Sequence, residues 1–508
     1  MASKSNTPIT SYFYNTFSLI GIVMAAAATG LILVFLAMEI ISGRSNPYLG
    51  ILMYFVFPAM LVLGLILIPI GAFRTRARMR DAAHAEISPF PIIDLNNFYT
   101  RRFFILFVIS TFIFVIIVSF ASIQGYEFSE STTFCGKLCH VVMKPEYTTW
   151  GNSPHAEVKC VECHVGSGAK WYVKAKLSGL RQVYAVLTKT YAAPIKTPIE
   201  NLRPARETCE HCHWPEKFYA GRQKVFYHYA PDEHNTPREI NMLLNIGSTH
   251  KDQHSKGIHW HIGSKVTYIA TDKKRMEIPY IAVQEKDGKI TEYISTEKPI
   301  TKDQITAARK RLMDCLDCHN RPTHVFRSLG QEMDEAFVSG RIDRSLPYVK
   351  KVAVELLEKP YKTAAEAEAS IASGILDYYN KNYSGIAVEK RVTIDEAIDE
   401  VKAIYNRNFF PAMKVSWNTY PNHIGHFYTP GCFRCHDGKH KSSDGRVVSK
   451  DCNICHTVLS QKQENISPSP ETPVKGFVHP EDIGDELYET NCSECHSAGG
   501  RDVPGVGE

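Results

Sequence analysis

Three stretches near the N-terminus are almost wholly apolar: Phe17 to Ile41, Pro47 to Phe73, and Phe103 to Ile123. Each reaches the ~20 residues that a helix needs to cross hydrocarbon, so the pattern predicts three transmembrane helices. The first is too long for a secretory signal core and no small-residue cleavage site follows it, so it is expected to remain as an anchor. Further on, alternating positions at Lys265 to Ala270 and Ile278 to Ile294, the latter broken by Asp287-Gly288, predict a small β-hairpin. Thr363 to Tyr379 and Thr393 to Tyr405 repeat with helical period instead, with Thr363 and Thr393 placed as N-caps. Gln463 to Lys475 is a polar, proline-bearing linker.

Charge orients the spans. Arg74, Arg76, Arg78, Arg80, Arg101 and Arg102 lie between the second and third, against Arg44 between the first and second. The positive-inside rule then places the Arg-rich loop and the N-terminus in the cytoplasm, and everything after the third span outside. Glu39 is the one carboxylate within a span, in its last turn on the outer side; such a group is either functional or reaches the headgroups. The 508-residue chain has a net charge of only +5 and no basic stripe interleaved with aromatics, which argues against nucleic acid as a partner. No Walker or Rossmann fingerprint occurs, so no nucleotide cofactor is implied.

All fourteen cysteines fall after residue 134 and form seven pairs, each closed by histidine. The pairs are Cys135/Cys139-His140, Cys160/Cys163-His164, Cys209/Cys212-His213, Cys315/Cys318-His319, Cys432/Cys435-His436, Cys452/Cys455-His456 and Cys492/Cys495-His496. The first has three residues between its cysteines and the other six have two. Cys-x-x-Cys-His is the attachment signature of c-type haem: the thiols bond the porphyrin and the histidine presents its imidazole to the iron. Disulfides or zinc knuckles would not require histidine after every second cysteine. Seven covalent haems are therefore expected. Their attachment belongs to an oxidising compartment, which agrees with the charge-derived orientation. No histidine occurs inside a span, the nearest being His84, so no haem is expected within the membrane itself.

The expected architecture is mainly α with irregular haem-packed regions and a small β-hairpin insertion. Residues 1–125 form the membrane anchor and 126–325 a tetrahaem region with its insertion at 214–310. Residues 326–422 are a helical connector and 423–508 a trihaem region. So little apolar sequence is left for each haem that the porphyrins must supply much of the core. Thirteen histidines outside the motifs follow the membrane part, an ample supply of second axial ligands. Among them His259 and His261, in Gly257-Ile-His-Trp-His261, stand equally as ligands or surface residues. His423, His426, His440 and His479 are candidates for the later haems.

The run Cys139-His140-x-x-Met143-x-Pro145, Ser153-Pro-His155, Cys160-Val-Glu-Cys163-His164, Lys176, Cys209-Glu-His-Cys212-His213 and Cys315-Leu-Asp-Cys318-His319-x4-His324 resembles the NapC/NirT family of membrane-anchored quinol dehydrogenases. The resemblance covers residues 103–213 and 315–324. It implies Met143 as a ligand of the first haem, His155 opposite His213 on the third, and His324 opposite His164 on the second. It also places Lys176 at a quinol pocket. Where the family carries an acidic partner, this chain reads Gln182, and Glu39 is the carboxylate expected to accept the proton instead.

The expected function is oxidation of a quinol, of the menaquinol type, with electrons passed to periplasmic c-type cytochromes in anaerobic or extracellular metal respiration. The bacterial inner membrane is the expected location, with several spans. The competing readings are a multihaem reductase of a small nitrogen compound, which needs an open haem face, and a passive tethered electron conduit.

Overall fold

A computed structural model of the chain describes residues 12–42, 52, 56–82, 94–166, 169–199, 202–214, 218, 221–247, 257–285, 287–463, 477–479, 483–484 and 490–496. The chain divides into two compact units, residues 1–138 and 139–508.

The first unit holds helices α1 (Thr16–Ser42), α2 (Phe57–Ala82) and α3 (Phe98–Ser129). Each contains a window long and apolar enough to span a membrane: Thr16–Phe35, Phe57–Arg78 and Phe98–Ser129. α1 and α2 approach closely because glycines face each other; a Cβ on Gly21 would stand 2.5 Å from the Gly64 carbonyl oxygen. Small residues permit such backbone contact where hydrocarbon gives no hydrophobic drive between helices. Ser18 adds a hydrogen bond to the Ile68 carbonyl at 2.8 Å. Ala28, Ile32, Phe57 and Leu61 are buried, with Phe114 and Val118 of α3 against them. Leu33, Leu63 and Phe112 face outward, as hydrocarbon-facing residues do. Arg74, Arg76, Arg78 and Arg80, expected in a loop, instead continue α2, and Arg101 and Arg102 lie in the first turns of α3. Arginine is a good helix former, so the helices run on past their apolar windows. The expected start of the second span at Pro47 lies outside the described residues.

In the second unit, α4 (His140–Gly151) and α5 (Ala169–Leu187) precede two antiparallel sheets. The strands are β1 (Gly221–Tyr229), β2 (Pro237–Asn245), β3 (Lys265–Ile269), β4 (Tyr280–Gln284), β5 (Ile290–Ser295), β6 (Arg311–Leu312), β7 (His440–Ser442) and β8 (His456–Gln463). The expected hairpin is β4–β5, with Ile281 opposite Tyr293, but it is the centre of a five-stranded sheet ordered β6-β3-β4-β5-β7. The second sheet, β1-β2-β8, was not predicted. Every residue of β2 is partly buried, so neither of its faces writes the alternation that marks a one-sided strand. Through β7 and β8 the late motifs are stitched onto the 214–310 insertion. His456, the sixth motif histidine, is itself the first residue of β8.

A haem-free core forms from α6 (Leu329–Val338), α7 (Val349–Leu357), α8 (Ala364–Asn382) and α9 (Arg391–Asn408). In α8 the buried residues are Ala367, Ile371, Ile375 and Tyr379, one per turn on one face. Each buried isoleucine contributes about 1.5–3 kcal/mol of transfer free energy. Thr363 caps α8 as expected, accepting from the Glu366 N–H. Thr393 does not cap α9, which starts two residues earlier at Arg391. Lys350 and Asp334 are both buried and paired at 2.7 Å, and Lys350 also donates to the Tyr229 carbonyl, tying β1 to the helices.

Candidate functional site

Six motifs form single tight turns. The first cysteine accepts a backbone hydrogen bond from the histidine four residues on: His213 to Cys209 at 2.7 Å, His319 to Cys315 at 2.8 Å, His436 to Cys432 at 3.0 Å and His496 to Cys492 at 2.9 Å. The second motif lies within the one-turn helix Cys160–His164. Three motifs carry a cap immediately before the first cysteine: Asp314 and Asn491 make capping boxes with Asp317 and Glu494, and Asp451 accepts from the Asn453 N–H. A helical turn brings positions i and i+4 together, so thiol and imidazole are presented on the same side.

Opposite each of these six motif histidines stands a second imidazole. The ring centroids are 6.3 Å apart for His164 and His324, 6.0 Å for His213 and His155, and 6.4 Å for His319 and His259. They are 5.8 Å apart for His436 and His261, 6.0 Å for His456 and His426, and 6.2 Å for His496 and His479. An iron between two imidazoles, with bonds of ~2 Å and ~1.1 Å from each nitrogen to its ring centre, sets the centroids about 6.2 Å apart. The six spacings match that value. These residues fit six bis-histidine haems.

Four of the paired imidazoles are tied down at Nδ1, whereas the Nδ1 atoms of His155, His426 and His456 are buried with no hydrogen-bond partner among the described residues. His324 donates to the Glu146 carbonyl at 3.0 Å and lies 3.2 Å from its carboxylate, which Arg321 holds at 3.0 Å. His259 donates to Ile246 at 3.2 Å, His261 to Ile258 at 2.8 Å and His436 to Ser449 at 2.8 Å, all backbone carbonyls. Such a bond fixes the tautomer and leaves Nε2 for a metal. Desolvation holds His164, His259, His261, His319, His324, His426 and His456 below the ordinary imidazole range, in the neutral form an iron requires. Phenyl rings stack on three of the imidazoles: Phe218 on His259 at 4.4 Å, Phe433 on His426 at 4.4 Å and Phe427 on His496 at 4.3 Å.

The motifs follow one another in space as in sequence. Burial raises the Cys163 thiol first, and the charge of Cys212 adds to it; Cys209 hydrogen-bonds to Cys315. Burial pushes Cys318 up to about 12 with Cys432 as the next contributor, and Cys455 up to about 11 with Cys432 again next. Burial likewise raises Cys492, which also feels Cys452. Motifs two to seven thus touch electrostatically in an unbroken order.

Not every expected residue joins this arrangement in the expected way. The cysteines were expected within haem-packed regions, and eleven of the fourteen are half-buried, but Cys212, Cys452 and Cys495 are exposed. His440 is corrected: its Nδ1 bonds Asp437 at 2.9 Å and its Nε2 the Ile278 carbonyl at 2.7 Å, so neither nitrogen is available to an iron. His423 faces no motif imidazole; its Nδ1 donates to the Asp317 carbonyl and its Nε2 is buried without a partner. Burial, then the Arg434 charge, pushes it down to about 4.

In the first motif, His140 and Met143 lie three apart on α4, hence on one side of it, and cannot take opposite faces of one iron. Gln182 is six residues from Lys176 on α5, about 120° around the helix, so the two do not share a face. Gln182 is exposed and its amide reaches only Ser178, at 3.5 Å. Glu39 lies in α1, with its side chain outside the described residues.

Sequence reasoning missed Asp317, which sits between the cysteines of the fourth motif. It is buried and accepts from Tyr268 at 2.6 Å, Arg275 at 2.7 Å and Arg311 at 2.8 Å, locking that turn into the sheet. Tyr268 and Arg275 are distant in sequence, so the local Asp314–Asp317 capping pattern alone does not mark its buried role. Glu146 and Phe218 likewise meet partners distant in sequence.

Spans followed by an ordered array of paired imidazoles define a membrane-type multihaem cytochrome c, an electron-transfer protein. The NapC/NirT cytochrome c family, N-terminal region, matches residues 99–213. The chain is 63% identical over 494 residues, 97% of each chain, to the cytochrome c-type protein ImcH of Geobacter sulfurreducens. It is 31% identical over 124 residues, 24% of this chain and 68% of the relative, to the cytochrome c-type protein NrfH of Wolinella succinogenes. No solved structure matches significantly. The chain belongs to the NapC/NirT cytochrome c family, and its haem is covalently bound.

Proposed function

We propose that this chain oxidises a membrane quinol, of the menaquinol type, and passes single electrons along seven haems to c-type cytochromes in the periplasm. The observation that carries the reading is the sequence-ordered run of six imidazole pairs in a chain with three membrane-spanning helices. Haem iron, when bound, supplies the one-electron redox step that splits the electron pair of a quinol. The protein's own part is position. Each of the six imidazole pairs would supply both protein ligands of a haem iron, which disfavours a reductase needing an open site on any of them. The first motif is distinguished by its place: it follows the third span directly in sequence.

Oxidising a quinol releases two electrons and two protons, so a base is needed. Lys176 in its charged form donates a hydrogen bond to a quinone oxygen but cannot take the proton, which leaves Glu39 as the proposed acceptor. The inner membrane, the cytoplasmic N-terminus and the external haem unit belong to the same reading, supported by the arginine distribution.

The test is reduction of the purified holoprotein by a menaquinol analogue. Lys176→Met should slow quinol-driven haem reduction by roughly tenfold or more while leaving dithionite reduction and the visible spectrum unchanged. Failure of the native protein to be reduced by any quinol would leave the passive conduit in its place.

A further inference from the structure

Helix α5 (Ala169–Leu187) presents an exposed apolar face. Val173, Leu177, Leu180, Tyr184 and Leu187 are between 55% and 78% exposed. Their spacing of four, three, four and three residues places them in one stripe, which at 1.5 Å per residue runs for about 21 Å. On the opposite side Val186 packs against the Val142, Met413 and Tyr420 cluster, so the helix is anchored and its stripe is directed outward. The polar residues are arranged to match. The helix contains four basic residues and no acidic one. Lys174 and Arg181 lie along one flank of the stripe and Lys176 along the other, while Lys174 also rests over the Trp171 ring at 5.1 Å.

An apolar stripe bordered by cations, with aromatic residues and no carboxylates, has the composition of a helix that lies in the plane of a membrane surface. Flanking lysines bury their stems along such a surface and keep their ammonium groups among the headgroups. An acidic protein partner would meet the cations but would leave the five apolar side chains unmatched. Because the spans keep the chain at a bilayer, that surface is always within reach.

We propose that α5 is an interfacial helix. Its Val173–Leu187 stripe enters the boundary between headgroups and acyl chains, and Lys174 and Arg181 bind anionic headgroups. This gives the haem-bearing unit a membrane contact of its own, independent of the quinol reading.

Hydroxyl-radical footprinting of the full holoprotein tests it in three settings: discs mixing phosphatidylglycerol with phosphatidylcholine, discs of phosphatidylcholine alone, and lipid-free amphipol. Discs holding a single copy exclude self-association. Oxidation of Leu177, Leu180 and Tyr184 should fall by roughly threefold or more in mixed discs relative to amphipol, and by less in phosphatidylcholine alone. Val388 and Val392, exposed on the haem-free helices, should react equally in all three settings. The double substitution Leu177→Glu, Leu180→Glu should abolish the protection of Tyr184 with an unchanged haem spectrum. Equal oxidation in all three settings, or protection already complete in amphipol, would overturn the proposal. Equal protection in the two kinds of disc would overturn the role given to the cations.

Discussion

Helix α8 buries Ala367, Ile371, Ile375 and Tyr379 against its neighbours, whereas the segment from His140 to His213 buries only Val142, Pro145, Val161 and Ala205 among its described aliphatic residues. Both belong to one compact unit. In α6 to α9 the information for packing is periodic: an apolar residue recurs each turn, and the helices close on one another with no prosthetic group. The motif segments carry instead short capped turns and imidazoles at the spacing of an iron with two nitrogen ligands. Bound haem would supply the packing partner that these segments lack. A chain can thus combine a core written as a pattern with a core written as a set of ligands.

The largest effect that would break this contrast comes from withholding haem. In chain produced without haem attachment, amides of α8 and α9 should stay protected from hydrogen exchange, while residues 155–213 and 432–456 exchange at rates near those of unfolded peptide. Equal protection of both regions would show that the motif segments fold on side-chain packing alone. Next, Ile375→Ala removes a fully buried side chain from the haem-free core and should cost about 2–5 kcal/mol in denaturant unfolding of that region. The visible haem spectrum should not move.

The ligand side of the contrast is sharpened by His324→Met. Exchanging an axial imidazole for a thioether should raise the potential of one haem by roughly a hundred millivolts, with attachment intact because the thiols and His164 remain. The same substitution at His155 should act on a different haem. A redox titration superimposable on that of the native protein would remove these assignments. The smallest expected shift is that of Glu146→Gln, which takes away the charge beside the His324 Nδ1. Ligand basicity should drop and the same haem should move upward by roughly tens of millivolts, a fraction of the ligand exchange.

Much of this was legible in the residues. The three spans, the seven thiol pairs, the cap at Thr363 and the pairings of His155 and His324 with their motif histidines rest on apolar length, local spacing or likeness to a family. These are short-range properties, and a helix or a capped turn obeys the residues that compose it. The second sheet was hidden because β1 is exposed over its first residues and β2 is half-buried on both faces, so neither strand writes an alternation. Spacing marked Cys492 and Cys495 alike, yet it could not tell that one would be half-buried and the other exposed, since that depends on which residues pack over the turn. His440 looked like a ligand in sequence, and only the arrival of β5 and the Ile278 carbonyl beside it closed its second nitrogen.

The sequence by itself determined how many thiol pairs the chain has, that Thr363 caps α8 and which stretches can cross hydrocarbon, because those depend on neighbours within a few residues. Beyond His155 and His324, tertiary structure alone decided which imidazole faces which. His259 meets His319 because β3 pairs with β6 between them, and His261 meets His436 where β7 joins the same sheet. Ligation needs two nitrogens on opposite sides of one point, and only the folded backbone brings residues so far apart in the chain to that distance.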